Sequence, residues 1–502
     1  MKKLVNKKWF CLLFCFVVSS LIILFTSKCS PLYPFNDWVD ANAFFTTGKG
    51  IFNGIVPYRD LFEQKGLLLY FIYGIGYLIS HTSFIGIYFF EVIFWTFTLY
   101  YCFKIVEMFI PKKYGFIIVP VFTAFLTTSY SFTHGGSAEE FCYLGLAMSL
   151  YYFLKHFKEK ELTNKEFIIN GFIAGCILSI KYTILLGFWL AFMMCLFIEY
   201  MFRKEYKKGF MACIYFLIGM AIPVVVSCIY LALNNALKDY INVYFIINMT
   251  VYPPSGNGIF YRLISVARIF YNVCKANGVL IGWAGFLFPL FILTTKIKNR
   301  GKIYLIIIFI FTIFGIYFGL KSYPYYAFPI FIFSIFSLIV LFSYLDQVIK
   351  SEKRLLSLTI VALISSLFVA YNCANYKKFR SVKKEDLFQY KFAQIINQEK
   401  NPTFVNMGFL DAGIYTLGDI MPTTYYFQRN NFEYDRYPYL EDAFKEYIDT
   451  KKTMFILYYT KLPLKEVFAK EENLDANYEL VAQEKYNFER KKLNAFLFKV
   501  RN

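Results

Sequence analysis

Long apolar runs recur along this chain from Trp9 to Tyr371, and no other feature constrains its fold as much. A helix needs about 20 apolar residues to cross the hydrocarbon core of a bilayer. Runs of that kind, repeated along one chain, mean a multi-spanning membrane protein. Of the 502 residues, 58% are hydrophobic and 17% are charged, against roughly 45–50% and 25% in soluble domains. A disordered chain, a coiled coil and an ordinary soluble enzyme are excluded. The 27 Gly and 15 Pro follow no period, which excludes a collagen-like chain.

Hydropathy places about eleven spans, at roughly 9–28, 84–106, 115–132, 140–156, 167–182, 184–202, 210–233, 279–295, 303–320, 326–344 and 355–373. The long 167–202 stretch is divided at Lys181. The first run, behind Met1-Lys2-Lys3, is long enough to span and no small-residue cleavage site follows it. It is therefore a span rather than a signal peptide. Every second connection is basic: Lys2/Lys3/Lys7/Lys8, Lys112/Lys113, Lys155/Lys158/Lys160/Lys165, Arg203/Lys204/Lys207/Lys208, Lys296/Lys298/Arg300/Lys302 and Lys350/Lys353/Arg354. By the positive-inside rule these face the cytoplasm of a multi-pass cell-membrane protein, with the N-terminus cytoplasmic. Residues 67–80 are too short to cross and suggest a helix along the outer surface. Residues 259–275 mix Arg262, Arg268 and Lys275 with Phe260, Leu263, Ile264, Phe270 and Val273, an interfacial amphipathic pattern.

Residues 1–374 hold 32 Lys and Arg against 16 Asp and Glu, and residues 375–502 hold 21 against 18. The net charge of +19 thus resides mainly in orienting loops. It does not form a nucleic-acid surface, and no nucleic-acid partner is expected. Two domains follow, a membrane domain over 1–374 and an extracytoplasmic domain over 375–502. The second alternates helical patterns (385–399, 438–450) with extended ones (403–408, 453–459, 493–500), as a small α/β domain does. All 11 cysteines precede residue 375 and most lie in apolar runs, as small buried hydrophobes. No Cys/His spacing points to zinc, and no metal or other cofactor is required, although paired outer carboxylates could hold a divalent ion.

The few acids of the membrane domain are concentrated. Asp37, Asp40, Asp60 and Glu63 lie in the long first outer loop (29–83), and Glu139 and Glu140 lie in the second. After Asp40, residues Ala41, Phe44, Phe45, Gly48, Ile51 and Phe52 share one helical face. Asp40 is then either a helix cap, a role Asn36 or Asp37 could also fill, or a base facing the membrane boundary. Glu139 and Glu140 are either the acidic first turn of a span capped by Ser137 or members of the same site. Glu91 and Lys181, inside spans, must be paired or face a wet cavity. Arg59, Lys65, Arg262 and Arg268 suit a phosphate or snorkel to lipid headgroups. Tyr323-Pro324-Tyr325-Tyr326 is either an aromatic belt or a sugar subsite.

The stretch Asp40-Ala41-Asn42-Ala43-Phe44, then Asn53-Gly54-Ile55-Val56-Pro57-Tyr58-Arg59-Asp60 and Glu63-Gln64-Lys65-Gly66, resembles the first outer loop of GT-C glycosyltransferases. It is most similar to the family 39-like group of protein O-mannosyltransferases and aminoarabinose transferases. Gly135-Gly136-Ser137-Ala138-Glu139-Glu140-Phe141 resembles that family's second-loop acid. The layout also matches: many spans, a structured first loop and a C-terminal domain outside. The chain departs from the pattern at Gly66-Leu67, where prolines are usual, at Ala41, where a second acid is frequent, and at Tyr325-Tyr326, where histidine-tyrosine is common.

The resemblance implies an all-α polytopic GT-C fold with a small α/β domain. It implies an inverting glycosyltransferase acting at the cell envelope, with a polyprenyl-phosphate-linked sugar as donor. The acceptor would be a hydroxyl of a lipid, an envelope polymer or a protein. Asp40 takes the place of the catalytic base, with Glu139 or Glu140 as the second acid. Arg59, Lys65, Lys181 and Arg262 are the cations for the donor phosphate, and Tyr58, Asp60, Tyr325 and Tyr326 line the substrate. The rival is a transporter or flippase of lipid-linked glycans. That class favours internal repeats and midplane charges, whereas this sequence has no repeat and keeps most acids in the loops. A scaffold displaying the C-terminal domain would leave the loop carboxylates without a use.

Overall fold

The computed structural model describes residues 7–254, 258–278, 286–348, 351–488 and 491–501. Lys2, Lys3, Lys350 and residues 279–285 of the span expected at 279–295 lie outside the described residues. Among the described residues, seven helices are long and apolar enough to cross a membrane: Lys8–Thr26, Ile85–Phe109, Tyr182–Phe202, Tyr206–Leu233, Asn299–Tyr317, Pro324–Asp346 and Lys353–Cys373. Three more expected spans are helices that fall short of that standard. Gly115–Thr128 has 14 residues and Asn164–Leu178 has 15, roughly 21–23 Å of rise against a core of about 30 Å. Ala138–Lys158 is long enough but carries Glu139, Glu140, Lys155 and Lys158. Of 279–295, the helix Phe288–Thr294 is seen. The chain is a polytopic helical membrane protein with a small sheet region near its C-terminus.

The chain packs as two compact units. One comprises residues 1–30, 88–228 and 256–377, and the other comprises 31–87, 229–255 and 378–502. In the first, the break at Lys181 falls between the helices ending at Leu178 and starting at Tyr182. The Ile259–Ala276 helix buries only Val266 and Val273, seven residues apart on one stripe, as an amphipathic helix should.

In the second unit the helices Val39–Ile51 and Leu67–Ile79 cross backbone to backbone. A Cβ on Gly48 would lie 2.6 Å from the Gly74 nitrogen and from the Tyr70 carbonyl. Neither neighbour is a side chain that could swing away. Gly48→Val should therefore cost about 3 kcal/mol, the upper end of the overpacking range, read as a drop in thermal midpoint. An unchanged midpoint would mean that the two helices do not pack this closely.

The sheet runs β1 (Phe404–Asn406), β2 (Phe455–Thr460), β4 (Lys491–Val500), β3 (Tyr478–Phe488), with β1 parallel to β2 and the other pairs antiparallel. Phe455 to Tyr459 are all buried, as befits an inner strand covered on both faces. Helices Phe388–Ile396 and Tyr439–Asp449 bury Phe388, Phe392 and Ile396, and Leu440, Phe444, Tyr447 and Ile448. Both show the i, i+4 spacing of a helix lying on a core.

Candidate active site

The Val39–Ile51 helix presents Asp40 in its first turn. Its N-cap residue is Trp38, which offers no side-chain cap; instead Asn36 Oδ1 accepts the Trp38 N–H at 3.1 Å in a turn before the helix. Asp40 is thus not the cap, and it sits half-exposed where the helix dipole favours a negative charge. Asn42, one turn on, donates to the Asn36 and Trp38 carbonyls at 2.8 and 2.9 Å, which ties the helix start down.

The loop that follows is held residue by residue. Tyr58 is fully buried at φ 70°, a left-handed conformation that is costly for a bulky residue and persists only where surroundings impose it. Its hydroxyl donates to the Lys65 carbonyl at 2.7 Å, and the Lys65 N–H donates to the Tyr70 hydroxyl at 2.8 Å. Asn248 clasps Gln64: its amide donates to the Gln64 carbonyl at 2.9 Å, and Gln64 Nε2 donates to Asn248 Oδ1 at 3.1 Å. Glu63 is buried, with Oε1 accepting the Gln64 N–H at 2.9 Å and Oε2 accepting from Gln428 Nε2 at 2.8 Å. Burial pushes the Glu63 carboxyl above its ordinary value; the Lys65 charge opposes this and the Asp40 charge adds to it. Asp40, Glu63 and Lys65 are therefore one electrostatic group. Lys65 Nζ also lies 5.4 Å from the centre of the Phe44 ring on the Asp40 helix.

Two loop residues named from the sequence are turned to structure. Asp60 accepts the Val56 N–H at 2.7 Å and a two-point contact from Arg59, which holds its carboxyl below the usual range. The Arg59 guanidinium also donates to the Asn234 carbonyl at 2.6 Å. Tyr58, expected to line a substrate, spends its hydroxyl on the loop.

C-terminal residues grip the Asp40 helix in turn. Thr46 donates to Asp411 at 2.7 Å, Thr416 donates to Asn42 Oδ1 at 3.0 Å, and Lys49 Nζ donates to the Tyr415 carbonyl at 2.6 Å. The Tyr486 hydroxyl donates to Asp37. Phe62 donates its N–H to the Tyr425 carbonyl at 2.9 Å and packs its ring among Tyr425, Tyr426, Phe432 and Tyr437. Burial pushes Lys49 down to about 8 and Asp411 up to about 6. Asp411 therefore binds more protons folded than unfolded between 3.8 and about 6, and stability falls as pH rises through that window. In Asp411→Asn that fall should be shallower, measured as thermal midpoint against pH; an unaltered slope would mean that Asp411 is not buried here.

The other unit separates the two second-loop acids. Ser137 caps the Ala138–Lys158 helix by accepting the Glu140 N–H at 3.0 Å. Glu140 accepts the Trp95 indole N–H at 2.6 Å and the Gly136 N–H at 2.8 Å. Glu91 shares that Gly136 N–H at 2.8 Å and accepts the Ser27 hydroxyl at 2.8 Å. Gly136 makes this bend at φ 74°, a region that glycine enters freely. Glu139 instead pairs with Lys181, whose ammonium lies 3.5 Å from the centre of the Tyr326 ring. The second oxygen of Glu139 is buried with no hydrogen-bond partner. Tyr325 packs on Tyr323 and Tyr326. Arg262 donates to the Phe318 carbonyl at 3.1 Å and lies over the Phe318 ring.

Within one unit Asp40 and Lys65 are thus gathered with Glu63; within the other, Glu139, Lys181 and Tyr326 are gathered. Sequence reasoning missed Asn248, Asp411, Gln428 and Tyr486, which lie far from any motif. Among the described residues, no group of three or more His, Cys, Asp or Glu converges as a metal site. Two surface cavities, of about 360 and 380 Å³, are lined by none of the candidate residues.

The fold has solved counterparts. ArnT from Cupriavidus metallidurans in the apo state superposes with a TM-score of 0.60 at 10% identity, over 96% of this chain and 97% of that one. The structure of ArnT from Cupriavidus metallidurans bound to undecaprenyl phosphate gives the same score and coverage at 11% identity. The likeness at this identity is one of fold. No match is found among curated proteins. Residues 3–376 match the family model described as the putative competence-induced protein Ccs4 N-terminal domain, three quarters of the chain, and the chain belongs to that family.

Proposed function

We propose that this protein is a GT-C-type membrane glycosyltransferase that moves a sugar from a polyprenyl-phosphate carrier to an acceptor hydroxyl outside the cell. The observation that carries the reading is the group Asp40, Glu63 and Lys65, a base, a buried acid and a cation set on a loop whose every residue from 63 to 65 is separately held. The fold shared with a protein solved with undecaprenyl phosphate supports a lipid-linked donor. The basic loops face the cytoplasm in this reading, and the C-terminal domain lies outside with the first loop.

In the proposed reaction the acceptor oxygen attacks the anomeric carbon and the Asp40 carboxylate takes its proton. The bond from that carbon to the phosphate oxygen breaks, and the electron pair leaves on the lipid phosphate, steadied by Lys65. Direct displacement inverts the anomeric centre, through an oxocarbenium-like transition state by analogy with glycoside hydrolysis. Of the second-loop acids, the reading favours Glu139, because one of its buried oxygens is unspent whereas both oxygens of Glu140 are used.

Phosphate recognition tests the reading without knowledge of the sugar. Undecaprenyl phosphate should raise the thermal midpoint of the purified chain, as a ligand of the native state does, and undecaprenol should not. In Lys65→Met the shift should shrink. Equal shifts with both lipids would remove phosphate recognition from the account.

A further inference from the structure

We infer that Gln428 is a positioning residue that fixes the Glu63 carboxylate beside Lys65 and so makes the C-terminal domain part of the loop's working geometry. The inference rests on the reading of that loop as the transfer site. Gln428 and Glu63 are 365 residues apart in sequence, and both are buried.

The orientation of the Gln428 amide follows from its partners. The Asp411 N–H lies 2.7 Å from one end and can only donate, so that end is the carbonyl oxygen. The other end is then the NH2 group, aimed at Glu63 Oε2 at 2.8 Å. The backbone around Gln428 is fixed as well: Asn406 donates its N–H to the Phe427 carbonyl at 3.1 Å, and Arg429 donates to the Phe409 carbonyl at 3.1 Å. Gln428 is therefore a rigid donor that cannot flip into an acceptor.

A fixed donor favours the ionised form of the carboxylate it faces. Among the groups acting on Glu63, Lys65 attracts its charge and Asp40 repels it, while the neighbouring Tyr58 and Tyr70 hydroxyls are engaged with Lys65. Asn248, Tyr58 and Tyr70 hold the Gln64 and Lys65 portion of the loop through polar groups that do not titrate near neutrality. Gln428 differs from them in donating to an acid. Losing its donor should therefore change how the loop responds to pH as well as how firmly it is held.

The test uses the full chain in lipid nanodiscs with Gln428→Met, which keeps size and removes both the donor to Glu63 and the acceptor of the Asp411 N–H. Amide exchange at residues 60–66 should speed up by about tenfold, the scale of a lost hydrogen bond to a charged group, and the thermal midpoint should fall modestly, because the buried Asp411 N–H also loses its acceptor. The acid limb of kcat/KM for sugar transfer should shift, and Glu63→Gln should abolish that shift, so that the double variant matches Glu63→Gln alone. If Gln428→Met does not fold, Gln428→Glu carries the test. Its protonated carboxyl can still donate at acid pH, so exchange at 60–66 should match wild type there and exceed it increasingly as pH rises. A wild-type chain that transfers no sugar overturns the functional reading, while the exchange data still judge Gln428. Exchange equal to wild type, or a speed-up over wild type that persists unchanged in the Glu63→Gln background, overturns the assignment of Gln428.

Discussion

Asp40→Asn should lose sugar transfer by about 10²–10⁴-fold, the contribution of one positioned general base, while the thermal midpoint stays near wild type. The second half of the expectation comes from the helix start. Trp38 is the N-cap residue and Asn36 supplies the turn before it, so Asp40 is not the cap of the helix. The clamps on that helix are Thr46 on Asp411, Thr416 on Asn42 and Lys49 on Tyr415, and all lie beyond it. Asp40→Asn keeps the shape of the side chain and removes its basicity and its charge, the latter worth about 0.3–1 kcal/mol against the helix dipole. Equal transfer by equally abundant wild type and variant would take Asp40 out of the chemistry.

The second large effect concerns Glu139 and Lys181. The two form an ion pair whose side chains are 2% and 10% exposed, and removing one partner of a buried pair typically costs about 3–5 kcal/mol. Glu139→Leu or Lys181→Met should therefore each depress the thermal midpoint strongly. The double variant should recover most of that loss, because apolar side chains of similar volume often replace a buried pair without penalty. On the functional reading the recovered double variant still fails to transfer sugar. A double variant as unstable as the sum of the singles would mean that the two side chains do not pair, and full transfer by it would make the pair structural only.

The membrane helices were legible because apolar run length is a direct signal. The division at Lys181 was legible because a charge inside such a run has to end it or be paired, and here it does both. Strands β1, β2 and β4 were visible as buried extended runs. β3 was not: Val481, Gln483, Lys485 and Asn487 along it are exposed, so an edge strand carries little apolar pattern.

The site was legible only in its local part. Asp40, Lys65 and the acids between them stand in one loop, where spacing and resemblance could reach them. Glu139 and Glu140 could not be told apart, because adjacent helical residues point about 100° from each other and only the packing says which way. One turned out to face Trp95 and the other Lys181. Asp411, Gln428 and Tyr486 were out of reach for a different reason. They act through single hydrogen bonds spanning 365 to 449 residues, and an isolated Asp, Gln or Tyr in a polar domain has no pattern to mark it.

The central claim is that the carrier lipid is cleaved from its sugar. The direct measurement is to supply membranes containing this protein with a panel of radiolabelled polyprenyl-phosphate sugars and native envelope as acceptor, then to follow the label. Covalent label should appear in the acceptor, and unlabelled polyprenyl phosphate should be released, with at least one donor. Intact lipid-linked sugar delivered to the opposite leaflet, with no label in any acceptor, would contradict it and identify a transporter instead.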